Sequence, residues 1–250
     1  MVRIDAFPIG THARLIEQTM AGADARDQVA RIRAGLSGRK VIVSVGRVDY
    51  AKGTRELLLT YERLLRRRPT LQGQVQLLLT AVAAADGMRV YRRAQQAIEQ
   101  LVGRINGHFG TLSWQPVVLS TTPMSFQETM AYFRAADVCW ITPLRDGLNL
   151  VAKEFVAAHD AGDGVLVLSE FAGAALELGD ALLVNPYSIS QMDAAIERAL
   201  DMDPAEQQAR MRRMQQHVRR YDIESWTRRV LGSFDQLRRE VSQTPAPEIA

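Results

Sequence analysis

A single cysteine, Cys139, occurs in the 250 residues, which excludes an internal disulfide and a multi-thiolate metal site. Its place inside the apolar run Val138-Cys139-Trp140-Ile141-Thr142 marks it as a small buried hydrophobe rather than a reactive thiol. The four histidines, His12, His108, His159 and His217, lack the paired spacing of metal ligands, so each reads as a solvated or core residue and no metal or cofactor is expected. No stretch approaches the roughly 18 apolar residues of a membrane span, and residues 1–10 carry no basic region followed by a long apolar run. A cytoplasmic protein without a membrane partner is expected. No G-x-G-x-x-G follows a strand-like run, which argues against a dinucleotide oxidoreductase. There is no internal repeat, and no linker rich in Gly, Pro or Ser divides residues 40–240.

What is present is 47% hydrophobic residues, enough for a sizeable core, and 24% charged residues with a net charge of +3. Much of the basic excess lies between Arg210 and Arg239. There Asp222, Glu224 and Asp235 interrupt it, and Met211, Met214, Val218, Trp226, Val230 and Phe234 supply an apolar stripe. A solvated arginine face is the expectation, and no nucleic-acid partner.

Along the chain, residues 2–10 read as a short strand and a Pro/Gly turn, and residues 24–36 as a helix capped by Asp24. Strand-like runs follow at 41–45, 75–82, 117–119, 138–142, 165–168 and 182–184. Helical spacing separates them at 53–67, 88–105 and 125–135, and helices at 189–200, 204–220 and 224–240 close the chain. Residues 242–250 form a tail expected to be disordered. The alternation predicts an α/β fold, a Rossmann-like parallel sheet with helices on both faces, whose ligands bind beyond the carboxyl ends of the strands.

Two strand-end loops hold the chemistry. The loop Gly46-Arg47-Val48-Asp49-Tyr50-Ala51-Lys52-Gly53 places two cations five residues apart at the start of a helix. Arg47 can fork onto phosphate oxygens and Lys52 can neutralise another as a point charge, a pattern suited to a diphosphate. A surface pair between Arg47 and Asp49 is the structural alternative. The second loop, Pro143-Leu144-Arg145-Asp146-Gly147-Leu148-Asn149-Leu150-Val151-Ala152-Lys153-Glu154, opens a helix whose unpaired amides and dipole suit an anion. Asp146 and Glu154 add carboxylates able to accept from sugar hydroxyls, with Glu154 about two turns into the helix. The alternative is an ordinary βα corner with Asn149 as cap. Together the loops describe a nucleotide-sugar site. The diphosphate would lie between Arg47 and Lys52, the ribose near Glu154, and the hexose near Asp146 and the amides of Gly147, Leu148, Asn149, Leu150 and Val151.

With these residues in hand, the sequence resembles the retaining glucosyltransferases of the trehalose-6-phosphate synthase family. The resemblance runs from Phe7-Pro8-Ile9-Gly10 through both loops, Gly103-Arg104-Ile105-Asn106-Gly107 and residues 167–175, to Asn185-Pro186-Tyr187. It implies the two-lobed GT-B fold. Residues 1–38 would end the acceptor lobe and cross between lobes, and residues 39–241 would form the C-terminal donor-binding lobe. Arg47 and Lys52 become the catalytic pair on the leaving diphosphate, and Asp146 to Val151 with Glu154 the substrate-binding set.

Two departures stand out. Where the family carries a Ser-Arg-Gly-Asp/Glu segment whose arginine holds the acceptor phosphate, this chain reads Ala83-Ala84-Ala85-Asp86-Gly87-Met88-Arg89, with Arg89 a conjectural substitute. That wording, with Asp137-Val138-Cys139-Trp140-Ile141-Thr142, is similar to the glucosylglycerol-phosphate synthase branch. The similarity implies ADP-glucose as donor and a phosphorylated polyol, sn-glycerol 3-phosphate, as acceptor. The alternatives are glucose 6-phosphate as acceptor, or a non-catalytic nucleotide-sugar-binding module. The second departure is length. The resemblance implies that the N-terminal acceptor lobe is missing, so the chain is expected to bind donor with little turnover. Trp226, Leu231 and Phe234 would then either cover this lobe's own sheet or promote a homo-oligomer.

Overall fold

Runs such as Val41-Ile42-Val43 and Val165-Leu166-Val167-Leu168 are apolar toward both faces of a strand, so they are stable only when covered on both sides. In the computed structural model, which describes residues 5–82, 89–159 and 162–243, they lie in one six-stranded sheet. Its strands are β1 (Lys40–Arg47), β2 (Val75–Val82), β3 (Val117–Ser120), β4 (Val138–Ile141), β5 (Val165–Ser169) and β6 (Leu182–Val184). They run in the order β3-β2-β1-β4-β5-β6, and every pairing is parallel. The order reverses between β1 and β4, where Ile42 is in register with Val138 and Val43 with Cys139. Connections leave these two strands in opposite directions, which opens a crevice beyond their carboxyl ends.

The helices are α1 (Ala13–Ala21), α2 (Ala23–Gly35), α3 (Thr54–Arg67), α4 (Arg89–Phe109), α5 (Phe126–Ala135), α6 (Leu150–Ala158), α7 (Ile189–Asp201), α8 (Pro204–Arg220) and α9 (Ile223–Gln243). Strand residues alternate between two cores. Ile42, Val138, Trp140 and Val167 face Leu58, Leu64, Ile105 and Ile196 of α3, α4 and α7. Val41, Val43, Cys139 and Leu168 face Ile16, Phe133, Phe155 and Met214 of α1, α5, α6 and α8. The three-layer arrangement expected from the sequence is the one observed, and Cys139 is fully buried, with burial pushing its thiol up.

Some local readings differ. Residues 5–12 form no strand. Their carbonyl groups meet the last helix instead, with Trp226 Nε1 donating to Phe7 O (3.0 Å) and Ile223 N to Thr11 O (3.1 Å). Helix α1 was not anticipated, and its N-cap is His12, whose Nδ1 accepts from Leu15 N (3.2 Å). Asp24 is not a cap. Gly22 occupies that position without a side-chain bond, and Asp24 lies in the first turn, where a carboxylate still favours the helix dipole. Leu231 and Phe234 do not cover the sheet, being 58% and 61% exposed. The alanine-rich segment 83–88 and the tail residues 244–250 lie outside the described residues. No helix among the described residues is long and apolar enough to cross a membrane.

Candidate functional site

The two loops singled out in the sequence meet at the sheet reversal. Gly53 ends the first loop at φ +68°, and a Cβ there would stand 2.1 Å from Thr142 O at the end of β4. Only glycine allows both that left-handed backbone and that approach. Ala51 O accepts from Leu144 N (2.7 Å), and Lys52 Nζ donates to Asp146 Oδ2 (2.7 Å), 94 residues away in sequence. The loop after β5 supports the second loop from its other side. Gly173 N donates to Asp146 O (2.9 Å) and Ala174 N to Leu148 O (2.7 Å), and a Cβ on Gly173 would meet Gly147 O at 2.3 Å.

The result is a cavity of about 310 Å³ at the carboxyl ends of β1, β2 and β4, whose walls include Arg47, Lys52, Thr142, Asn149 and Val151. Arg47 is exposed, and its guanidinium has no hydrogen bond or ion pair among the described residues. Asp49 does not pair with it, because the Asp49 carboxylate accepts from Ala51 N (2.9 Å). Asn149 caps α6, accepting from Ala152 N (3.0 Å), and holds a left-handed backbone at φ +75°. The cap uses one amide of the turn. Those of Gly147, Asn149, Leu150 and Val151 have no acceptor among the described residues, so a row of N–H groups and a helix N-terminus remain for an anion or polar ligand.

Asp146 is more deeply engaged than the sequence suggested. Its Oδ2 receives Lys52 Nζ and Asn149 Nδ2 (3.2 Å), and its Oδ1 receives Leu148 N (3.2 Å). Burial pushes the carboxyl up, but those hydrogen bonds, with the Lys52 charge, outweigh it and hold the group below its usual range. The pair's contribution to stability is therefore present above about pH 4 and lost as pH falls through the lowered folded value. With both oxygens occupied, Asp146 is placed to set the loop and aim Lys52.

Glu154 lies one turn into α6, not two, because the helix begins at Leu150. Three positions after Val151, it shares that residue's helix face, although it is not itself a wall of the cavity. It is partly buried, its carboxylate has no hydrogen bond among the described residues, and burial pushes its carboxyl up.

Lys153, beside it, went unremarked in the sequence. It is buried, and its Nζ donates to Ile9 O (2.8 Å) and Glu177 Oε1 (2.6 Å), while Glu177 Oε2 lies 3.4 Å from His217 Nε2. The available signal was a cation in the helix Leu150–Ala158, whose residues other than Lys153 and Glu154 are all apolar. No group of three or more His, Cys, Asp or Glu able to hold a metal occurs among the described residues.

Comparison with known proteins follows the same line. The profile of glycosyltransferase family 20 matches residues 1–236. A glucosylglycerol-phosphate synthase from Synechocystis sp. is 53% identical over 92% of this chain and 46% of its own length. Among solved structures, an alpha,alpha-trehalose-phosphate synthase (UDP-forming) from Burkholderia xenovorans in complex with glucose-6-phosphate is 41% identical. That match has a TM-score of 0.88 over 92% of this chain and 50% of the other. A structure from E. coli, described as trehalose-6-phosphate bound with UDP-2-fluoro glucose, is 40% identical, with a TM-score of 0.89 over 94% and 52%. The chain thus spans about half the length of the relatives it matches.

Proposed function

The chain belongs to glycosyltransferase family 20, and on that premise we propose that it is the donor-binding part of a retaining glucosyltransferase, moving glucose from ADP-glucose to sn-glycerol 3-phosphate. The observation that carries the reading is the junction of the β1 and β4 loops. It joins Arg47 and Lys52 to the open amides of α6 in one cavity.

In this reading the guanidinium and ammonium take the diphosphate, and the α6 amides take the hexose. As the glycosidic bond breaks, charge accumulates on the departing diphosphate, and two cations beside a helix N-terminus, Lys52 held in place by Asp146 and Arg47 free to fold onto the ligand, stabilise it there. The held diphosphate assists deprotonation of the incoming hydroxyl on the same sugar face, so no protein carboxylate is assigned as nucleophile. Asp146 serves as a positioning residue for Lys52, and Glu154 receives the ribose hydroxyls.

Glycerol phosphate is favoured as acceptor by the 53% identity to a glucosylglycerol-phosphate synthase, against 41% to the Burkholderia xenovorans trehalose-phosphate synthase. The missing family arginine within residues 83–88 points the same way. Calorimetric titration of the chain with ADP-glucose, UDP-glucose and glucose 1-phosphate tests the donor half. Binding of a nucleotide sugar with none of glucose 1-phosphate is expected, and the reverse order would overturn the reading. Product analysis with glycerol 3-phosphate and glucose 6-phosphate, on this chain joined to an acceptor lobe, tests the other half. Trehalose phosphate as sole product would replace the proposed acceptor.

The Glu154 carboxyl supplies a pH signature. A raised folded value means that ionisation opposes folding, so this group's contribution is present below the ordinary glutamate value of about 4.3 and is lost as pH rises through the folded value. Only the ionised form offers both carboxylate oxygens, with full negative charge, as acceptors to the ribose hydroxyls. Glu154→Gln is therefore expected to raise the melting temperature at pH 7 while weakening nucleotide-sugar binding. In the unsubstituted chain, affinity should fall with acidification in a window above the ordinary glutamate range. Melting curves and a pH series of titrations check both. A variant that melts higher and binds equally well would make Glu154 merely a strained surface acid.

A further inference from the structure

Lys153 is the only buried lysine or arginine among the described residues, and it sits three positions after Leu150, on the helix whose first amides face the cavity. Its Nζ donates to Glu177 Oε1 (2.6 Å) and to Ile9 O (2.8 Å). Glu177 closes the short turn Gly173–Leu176, the same turn whose Gly173 and Ala174 amides hold Asp146 O and Leu148 O. A closed ring results, running from the Asp146–Leu148 loop through the turn, Glu177 and Lys153 and back along α6 to Leu150. Resting on the nucleotide-sugar reading, we propose that Lys153 is a positioning residue for donor binding. It keeps the Leu150 and Val151 amides in register with the Lys52–Asp146 pair, and it ties that frame to residues 5–12.

Stability alone is a poor reason for a buried ion pair, because apolar side chains of similar volume in its place are often neutral or stabilising. What the pair adds is direction, since the ammonium must meet its acceptors at set places. Donor binding needs that direction. The cations and the α6 amides come from different loops, and a ligand that spans both is held well only if their separation is fixed to within about half an ångström. Asp146 aims Lys52, and the ring through Lys153 relates Asp146 to the helix.

The second acceptor extends the frame to the start of the chain. Ile9 precedes Gly10, where a Cβ would stand 2.2 Å from Tyr221 O at the corner between α8 and α9. On either side of it, Phe7 O accepts from Trp226 Nε1 (3.0 Å) and Thr11 O from Ile223 N (3.1 Å). His217 Nε2, on α8, lies 3.4 Å from the other Glu177 oxygen. Residues 7–11 are thus held between the α8–α9 corner and Lys153, so a shift of this segment moves an acceptor of the ammonium. Coupling of this kind is reciprocal, and occupation of the α6 N-terminus steadies residues 7–11 in return.

Calorimetry with ADP-glucose, urea denaturation and amide hydrogen exchange on a set of variants separate positioning from stability. Lys153→Met with Glu177→Met replaces the pair by apolar side chains, so its urea midpoint is expected to lie above that of Lys153→Met alone. Its affinity for ADP-glucose should still fall by about tenfold, within the usual span for coupled sites. Glu177→Gln keeps the shape and an acceptor but not the charge, and a smaller loss of affinity is expected. Ile105→Ala, in the core on the opposite face of the sheet, lowers the midpoint by opening a cavity and should leave the affinity unchanged. Saturation with ADP-glucose is expected to slow exchange of the Ile223 amide in the unsubstituted chain and not in the double variant. If the double variant binds as tightly as the unsubstituted chain, or if it does not fold and Glu177→Gln binds as tightly, Lys153 only stabilises the fold. The proposal then fails while the donor site stands. Exchange at Ile223 that ADP-glucose leaves unslowed in the unsubstituted chain overturns the tie to residues 5–12. If no nucleotide sugar binds to the unsubstituted chain, the nucleotide-sugar reading fails and the positioning role falls with it.

Discussion

Replacing Lys153 with methionine is expected to destabilise the chain by about 3–5 kcal/mol, the usual consequence of removing one partner of a buried ion pair. The lysine side chain is 2% exposed and that of Glu177 is 13% exposed, so water can replace little of what is lost. Methionine keeps the volume, which separates the charge effect from a cavity. The substitution strands the Glu177 carboxylate with only His217 at 3.4 Å and removes a donor to Ile9 O. Urea denaturation reads the loss as a lower midpoint with an unchanged slope. Adding Glu177→Gln to Lys153→Met should recover part of it, because the uncompensated charge is then gone. Arg219→Ala serves as the control. Its pair with Glu17 is 53% and 35% exposed, and a change below about 1 kcal/mol is expected. A Lys153→Met midpoint as close to the unsubstituted one as that of Arg219→Ala would mean that the network ties nothing together.

The second large effect concerns the donor. Removing both cations by Arg47→Ala with Lys52→Ala is expected to weaken nucleotide-sugar binding by at least about 100-fold, since each charged hydrogen bond contributes about 1.5–3 kcal/mol. The two single substitutions should differ. Arg47 stands at the rim and its loss removes contacts only. Loss of Lys52 also uncovers the Asp146 carboxylate, which it neutralises at 2.7 Å, and leaves a negative charge beside the diphosphate. Lys52→Ala is therefore expected to be the more damaging. Adding Asp146→Asn should restore part of the affinity, although the same change alone weakens it by misplacing Lys52. Additive effects of Lys52→Ala and Asp146→Asn would show that the pair does not act as a unit.

Much of this site was legible because its signals are local. Gly46, Gly53 and the two cations lie within eight residues, and Asn149 caps α6 as its position before an apolar run implied. The parallel sheet was legible for a similar reason, since continuous β-branched runs alternating with helical spacing admit few arrangements. What escaped depends on contacts that spacing does not encode. The bond between Lys52 and Asp146, which engages the carboxylate expected to face the sugar, joins residues 94 apart. Lys153 reaches Ile9 and Glu177 across 144 and 24 residues, and α8, which packs against α6, brings His217 to the same carboxylate. Helix α1 was missed because histidine is an uncommon N-cap and only Ala13, Ile16 and Met20 of that helix are buried.

The most direct test of the central claim is a crystal structure of the chain soaked with ADP-glucose. The diphosphate is expected between the Arg47 guanidinium and Lys52 Nζ, within hydrogen-bond distance of both, with the hexose against the amides of Leu150 and Val151. Phosphates bound elsewhere, or a cavity between the β1 and β4 loops that stays free of ligand while the nucleotide sugar occupies another surface, would contradict it.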